Sequence, residues 1–166
     1  MLRLVNQILD FRKIQNKKMK LMVEKTELIA FLMKITENFR LIAEEKQICF
    51  TFQTEVEELY IWMDRDKVEK IIFNLLSNAF KYTMPGKSVK IAVWKAESTI
   101  RIAIIDEGIG IAPDKMDSLF KRFETLSKSN TILQPSSGIG LSLVKELVDM
   151  HPVSYTHLTL PTICSV

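Results

Sequence analysis

The sequence predicts an α+β fold, a two-layer α/β sandwich in which a mixed sheet is covered by helices on one face. Three observations lead there. Apolar residues recur at helical spacing from Leu28 to Ile42 and again from Val68 to Ala79. They occupy every second position at Val89, Ile91, Val93 and at Ile100, Ile102, Ile104, as strands with one buried face do. The short polar connection from Ala96 to Thr99 folds those two runs into an antiparallel pair.

Taken in order, Leu4, Ile8 and Phe11, flanked by Leu2, Val5 and Leu9, make a first amphipathic helix that ends near Asn16-Lys17-Lys18. A short extended stretch from Lys20 to Glu24 leads to Thr26, the expected N-cap of a second helix. Its apolar face is Leu28, Phe31, Leu32, Ile35, Phe39 and Ile42, and Glu44-Glu45-Lys46-Gln47 closes it. Ile48 to Thr54 and Leu59 to Met63 read as strands. Asp64 and Asp66 offer caps for a helix to about Lys81, with Glu69 placed after Asp66 as in a capping box. Pro85-Gly86 turns the chain into the antiparallel pair. Pro113 opens a short helix through Phe120, and the polar, Ser-rich run from Thr125 to Ser137 is expected to be mobile. Leu141, Val144, Leu147 and Val148 define the last helix.

Composition narrows the class. At 166 residues the chain has room for one domain plus an appended helix. A net charge of +3 is too small to argue for nucleic acid or an anionic membrane. No apolar run approaches the roughly 20 residues of a membrane span. The N-terminal MLRLVNQILDFRK lacks a signal peptide's cleavage region. Cys49 and Cys164 form no CxxC, so neither zinc nor a disulfide framework is expected. The expectation is a reduced, cytoplasmic domain.

On the 64–81 helix, Val68, Ile71, Ile72, Leu75, Leu76 and Ala79 form the apolar stripe, while Asn74, Asn78 and Lys81 share an arc beside it. A carboxamide oxygen suits one position on Mg²⁺, with phosphates and waters filling the rest. A lysine beyond it can meet a terminal phosphate. An isolated pair of asparagines at this spacing is more often a solvated face. Asp106 ends a strand and is followed by Glu107-Gly108-Ile109-Gly110-Ile111. A carboxylate there can accept from an exocyclic amine, which distinguishes adenine from guanine. Gly108 and Gly110 allow a tight turn close to a ligand, although a loop with convenient glycines is the commoner case. Gly138-Ile139-Gly140 precedes the last helix, whose N-terminal amides favour phosphate. Ser136 and Ser137 are either added donors or caps. Phe120 and Phe123 either pack the 113–123 helix or anchor the hinge of a lid over a nucleotide.

Together these residues resemble the catalytic ATP-binding domain of bacterial sensor histidine kinases, in the superfamily shared with gyrase B and certain heat-shock chaperones. FNLLSNAFKYT resembles that family's N box, DEGIGI its first glycine box, LFKRF its F box and GIGLSLV its second glycine box. The resemblance runs from about Lys20 to Met150 and implies a Bergerat-type ATP-binding fold. It implies ATP and Mg²⁺ as cofactors, Asn78 on the metal, Asn74 on the phosphate side, Lys81 on phosphate and Tyr82 stacked on adenine. Asp106 would read the adenine amine. Gly108, Gly110, Gly138, Gly140 and Leu141, with Phe120 and Phe123, would shape pocket and lid. Where the superfamily's mechanochemical ATPases carry a water-activating glutamate, this chain has Asn74, which argues for phosphate transfer over vigorous hydrolysis.

Residues 1–18 resemble the end of a dimerisation-hairpin helix of the kind found in hybrid two-component sensors, residues 19–150 the catalytic domain. The implied partners are ATP or ADP, a hairpin bearing the phosphoacceptor histidine, a downstream response regulator receiver and a second copy in a homodimer, with the full-length protein membrane-anchored. This chain departs twice from the family. The acceptor histidine is absent, leaving only His151 and His157. The tail 151–166, HPVSYTHLTLPTICSV, resembles translated adapter or vector DNA, which implies that the natural protein continues differently. Two other readings compete, a non-catalytic nucleotide-binding regulatory module and an interaction domain that pairs through its N-terminal helix.

Overall fold

The computed structural model describes residues 9, 12–14, 19–97, 99–111 and 139–151. The expected 113–120 helix, the 125–137 segment and all of the tail but His151 lie outside them. So does most of the first helix, of which Leu9 and residues 12–14 are helical. The described elements are β1 (Glu24–Glu27), α1 (Leu28–Glu45), β2 (Cys49–Thr54), β3 (Tyr60–Met63), α2 (Arg65–Tyr82), β4 (Ser88–Ala96), β5 (Thr99–Asp106) and α3 (Gly140–Met150).

The α+β class and the mixed sheet are as expected. Strands run in the order β2-β4-β5, with β2 parallel to β4 and β4 antiparallel to β5. The connection from β2 to β4 is long enough for a parallel crossover because α2 lies within it. A separate antiparallel pair, β1 with β3, sits apart from that sheet. Among the described residues no helix is long and apolar enough to cross a membrane.

Register explains the core. Phe50 and Phe52 stand opposite Val89 and Ile91, and Ile91 and Val93 stand opposite Ile104 and Ile102. These residues therefore share one face, and that face meets the helices, with α1 packed on β2, α2 on β5 and α3 on α2. Phe39 of α1 touches both Phe73 and Phe80 of α2, at ring centroid distances of 4.9 and 5.5 Å. Phe80 also meets Phe50 of β2 edge-on at 5.0 Å, so three elements converge on one aromatic cluster.

The helix caps differ from expectation. Thr26 does not cap α1; it is buried within β1 opposite Ile61. Glu27 is the cap, because its longer side chain reaches two targets. Its carboxylate accepts from the Ile29 and Ala30 N–H groups and also from the Leu59 N–H ahead of β3. Burial opposes the Glu27 charge, but those three donors outweigh it and hold the carboxyl below its ordinary value.

Asp64, not Asp66, caps α2. One oxygen accepts from the Lys67 N–H at 3.2 Å, and the other from the Met22 N–H at 2.7 Å and from the Lys67 ammonium. The Asp66–Glu69 capping box does not form; Asp66 pairs with Lys70 at 3.0 Å. The Asp64 and Lys67 side chains are only 3% and 8% exposed. Burial pushes the Asp64 carboxyl up, but the Lys67 ammonium and the N–H groups of Met22 and Lys67 pull it below its ordinary value.

Removing one member of a buried pair strands the other. Asp64→Ala is therefore expected to lower stability by about 3–5 kcal/mol in urea unfolding, and replacing both residues by Leu and Met to recover only the part due to the stranded ammonium, since the Met22 and Lys67 N–H groups still lose their acceptor. In the unsubstituted chain the Asp64 contribution is complete above the ordinary carboxyl value of 3.8. It fades as pH falls through the lower folded value. A double variant no more stable than Asp64→Ala would contradict this account.

Candidate functional site

Helix α2 buries Val68, Ile71, Ile72, Leu75, Leu76 and Ala79 against the sheet and the other helices. The polar arc beside that stripe runs from the middle of the helix to its C-terminus. Asn74 is buried and donates from Nδ2 to the Lys70 carbonyl at 2.7 Å. A Cβ on Gly140 would lie 3.3 Å from Asn74 Oδ1, so the glycine lets the start of α3 seat against this carboxamide. The N-cap residue of α3, Ile139, makes no side-chain cap bond. Asn78 and Lys81 are half-buried farther along. The Lys81 ammonium lies 5.5 Å from the centre of the Tyr82 ring. Burial first, and then the charge of Lys46, hold Lys81 below the ordinary lysine value. Lys46 is itself anchored at the end of α2, donating to the Phe80 carbonyl at 2.9 Å.

Strand parity delivers Asp106 to the same place. Ile102 and Ile104 face the helices, and Asp106, two residues on, follows them onto the covered face, where it is buried. Its Oδ1 accepts from the Gly108 N–H at 2.9 Å. Among the described residues its Oδ2 takes no donor. A Cβ on Gly108 would lie 2.6 Å from Asp106 Oδ1 and 3.0 Å from the Tyr82 carbonyl oxygen, so only glycine fits this turn. Gly110 follows at φ 70°, in the left-handed region. The turn is tied to α2 by the Ile109 N–H donating to the Tyr82 carbonyl at 3.2 Å.

The middle of α2 thus meets the start of α3, and its last turn meets the turn after β5. Asn74 is brought to Gly140, and Tyr82 to Asp106 and Gly108. Leu141 is half-buried and packs on the core. Gly138, Ser136, Ser137, Phe120 and Phe123 lie outside the described residues. Along α2 the arrangement aligns two carboxamides and an ammonium, with an acceptor carboxylate beyond the helix end. That is suited to an elongated ligand with a donor at one end and anionic groups along the rest.

Three residues escaped sequence reasoning. Glu107 Oε2 accepts from both the Ser88 N–H and the Ser88 hydroxyl, each at 2.8 Å. The Ser88 bonds, and more weakly the charge of Lys87, hold the Glu107 carboxyl below its ordinary value. Counting outward from the Ala96–Thr99 turn does place Ser88 opposite Glu107, so the signal was present in the register. Lys46 carried no signal, since its approach to Lys81 depends on how α1 packs on α2.

The family described as histidine kinase-, DNA gyrase B-, and HSP90-like ATPase matches residues 63–161, more than half of the chain. Histidine kinase P4 of Formosa agariphila is 32% identical over 157 residues, covering 91% of this chain and 11% of that protein. Full-length ShkA, solved in complex with AMPPNP, is similar in fold at TM-score 0.83 and 22% identity, covering 99% of this chain and 34% of that one. ThkA, solved in complex with the response regulator protein TrrA, gives TM-score 0.72 and 19% identity over 98% of this chain and 46% of that one. The chain spans between 10% and 25% of the length of the first curated relatives it matches. Sequence and fold agree: this chain belongs to the histidine kinase-, DNA gyrase B-, and HSP90-like ATPase family, in the form of the ATP-binding domain of histidine kinases.

Proposed function

We propose that residues 19–150 form the phosphodonor unit of a two-component sensor histidine kinase, binding Mg-ATP and passing its γ-phosphate to a histidine on a dimerisation hairpin. The observation that carries this reading is the buried Asp106. One carboxylate oxygen is spent on the Gly108 N–H, and the other is left to accept from the N6 amine of adenine. Tyr82, at the same turn, offers its ring to the base. Lys81 meets phosphate, and the first-turn amides of α3 add donors at the far end of the ligand.

Asn78 supplies one neutral oxygen to Mg²⁺. A half-buried carboxamide oxygen is a hard, neutral donor, which fits a metal that draws its other ligands from phosphate and water. When bound, Mg²⁺ neutralises charge on the phosphates. The chain's own residues hold the nucleotide in line and exclude water from it. In the transfer, an imidazole nitrogen forms a bond to the γ-phosphorus as its bond to the bridging oxygen breaks, and ADP leaves. Asn74, which takes the place of a water-activating carboxylate, favours transfer over hydrolysis.

Residues 1–18 continue such a hairpin helix, through which the full protein pairs as a homodimer. The phosphate then passes to a response regulator receiver, a partnership supported by the ThkA complex. The domain works on the cytoplasmic side of a membrane-anchored protein.

Three outcomes test this. Calorimetric titration should give tighter binding of Mg-ATP than of Mg-GTP, because guanine sets a carbonyl against Asp106. Asp106→Ala should weaken ATP binding by about tenfold or more. Equal affinity of the unsubstituted chain for the two nucleotides would remove the assignment. Asn78→Ala should leave the ligand-free melting temperature nearly unchanged while suppressing the upward shift that Mg-ATP gives by linkage. An early-melting variant that binds Mg-ATP normally would return this helix to a purely structural role. Finally, this chain should not label itself with γ-labelled ATP, yet should label a supplied hairpin carrying the acceptor histidine. His151 is buried at the end of α3, with Nδ1 hydrogen-bonded to the Leu147 carbonyl at 2.9 Å. Acid-labile label on the chain alone, lost on mutating His151 or His157, would overturn the claim.

A further inference from the structure

We propose that Glu107 is a positioning residue for the nucleotide site: by accepting both donors of Ser88 it fixes the turn that orients Asp106, and so sets the preference for adenine over guanine. The inference rests on the reading of Asp106 as the adenine acceptor and adds to it the residue that holds that acceptor in place.

The geometry runs through a single peptide. The donor that orients Asp106 is the Gly108 N–H, which belongs to the peptide joining Glu107 to Gly108. Rotating that peptide turns the donor away and releases the carboxylate. Gly108 cannot resist the rotation, because a residue without a Cβ has the widest backbone freedom. Nor can it be replaced by a stiffer residue, because Asp106 and the Tyr82 carbonyl occupy the space a Cβ would need. Restraint has to come from a neighbour.

Glu107 provides it. Its N–H donates to the Ser88 carbonyl at 3.1 Å, carrying the β4–β5 ladder one residue past the last register pair, Val89 with Asp106. Its side chain returns to the same serine, accepting from the N–H and the hydroxyl at 2.8 Å each. Three hydrogen bonds to one residue pin both ends of Glu107. On the other side of the turn the described tether is the single Ile109–Tyr82 bond at 3.2 Å. Glu107 is exposed, where a carboxylate is ordinarily satisfied by water, and charge-assisted bonds to two donors at this length are the strong kind.

The test is calorimetric titration of Mg-ATP and Mg-GTP into the chain and its Glu107→Ala, Glu107→Gln, Ser88→Ala and Ser88→Ala/Glu107→Ala variants, with ligand-free melting measured alongside. Glu107→Ala should reduce the ATP-over-GTP ratio by about tenfold, through weaker ATP binding with GTP binding kept, whatever melting shift the lost Ser88 bonds bring. Glu107→Gln should keep more of the preference, since its amide oxygen still accepts from Ser88. The double variant should be no worse than Glu107→Ala alone, as expected of partners in one interaction. An unchanged ratio in Glu107→Ala overturns the proposal and leaves the Asp106 reading standing. So does an equal loss of both nucleotides with an early melt, which marks a structural role only. Loss of preference in the unsubstituted chain sinks the Asp106 reading, and this inference with it.

Discussion

The arrangement at the end of β5 depends on strand parity. A period of two carries Ile102, Ile104 and Asp106 onto one face, and that face is the one the helices cover. A shift of one residue in register would put the carboxylate in solvent and an isoleucine in its place. The long antiparallel pairing of β4 with β5, anchored by Val89, Ile91 and Val93 in the core, prevents that slip. The hydrophobic effect thereby places a charged group where its burial would otherwise be costly, and the Gly108 N–H offsets part of that cost.

Helix α2 has two duties on two faces. Its apolar stripe and its phenylalanines hold α1, α3 and the sheet together, with Phe80 in contact with Phe39 and Phe50. Its polar arc carries Asn74, Asn78 and Lys81. The helix cannot drift without disturbing the core, so the polar arc is positioned as firmly as the packing. The buried Asp64–Lys67 pair fixes where the helix begins, and Lys46 and the Ile109 bond fix where it ends. The glycines act where backbone has to come close to these fixed points. Gly140 admits the Asn74 carboxamide and Gly108 admits the Tyr82 carbonyl.

Neighbouring cations give the far end of α2 its electrostatic character. Lys46 and Lys81 lie near one another, and burial and mutual repulsion both disfavour the Lys81 charge. An anion placed there would offset that repulsion. Glu107, on the other side of the turn, is engaged by both donors of Ser88.

Much of this was legible in the sequence because it rests on short-range periodicity. The stripes of α1 and α2, the alternation in β4 and β5 and the Ala96–Thr99 connection gave the fold class, and the order of the asparagine and glycine motifs gave the family. Only tertiary structure decided the rest. Glu27 replaced Thr26 as the cap of α1 because its carboxylate also reaches the Leu59 N–H, a partner 32 residues away. Asp64 replaced the Asp66–Glu69 box because Met22 and the Lys67 ammonium converge on it. The split of β1 and β3 from the main sheet, the seat of Asn74 against Gly140 and the Ser88–Glu107 bonds likewise arise where separate elements meet. Local pattern sets which face of each element is apolar; which polar groups then meet across faces is set by packing among all of them at once.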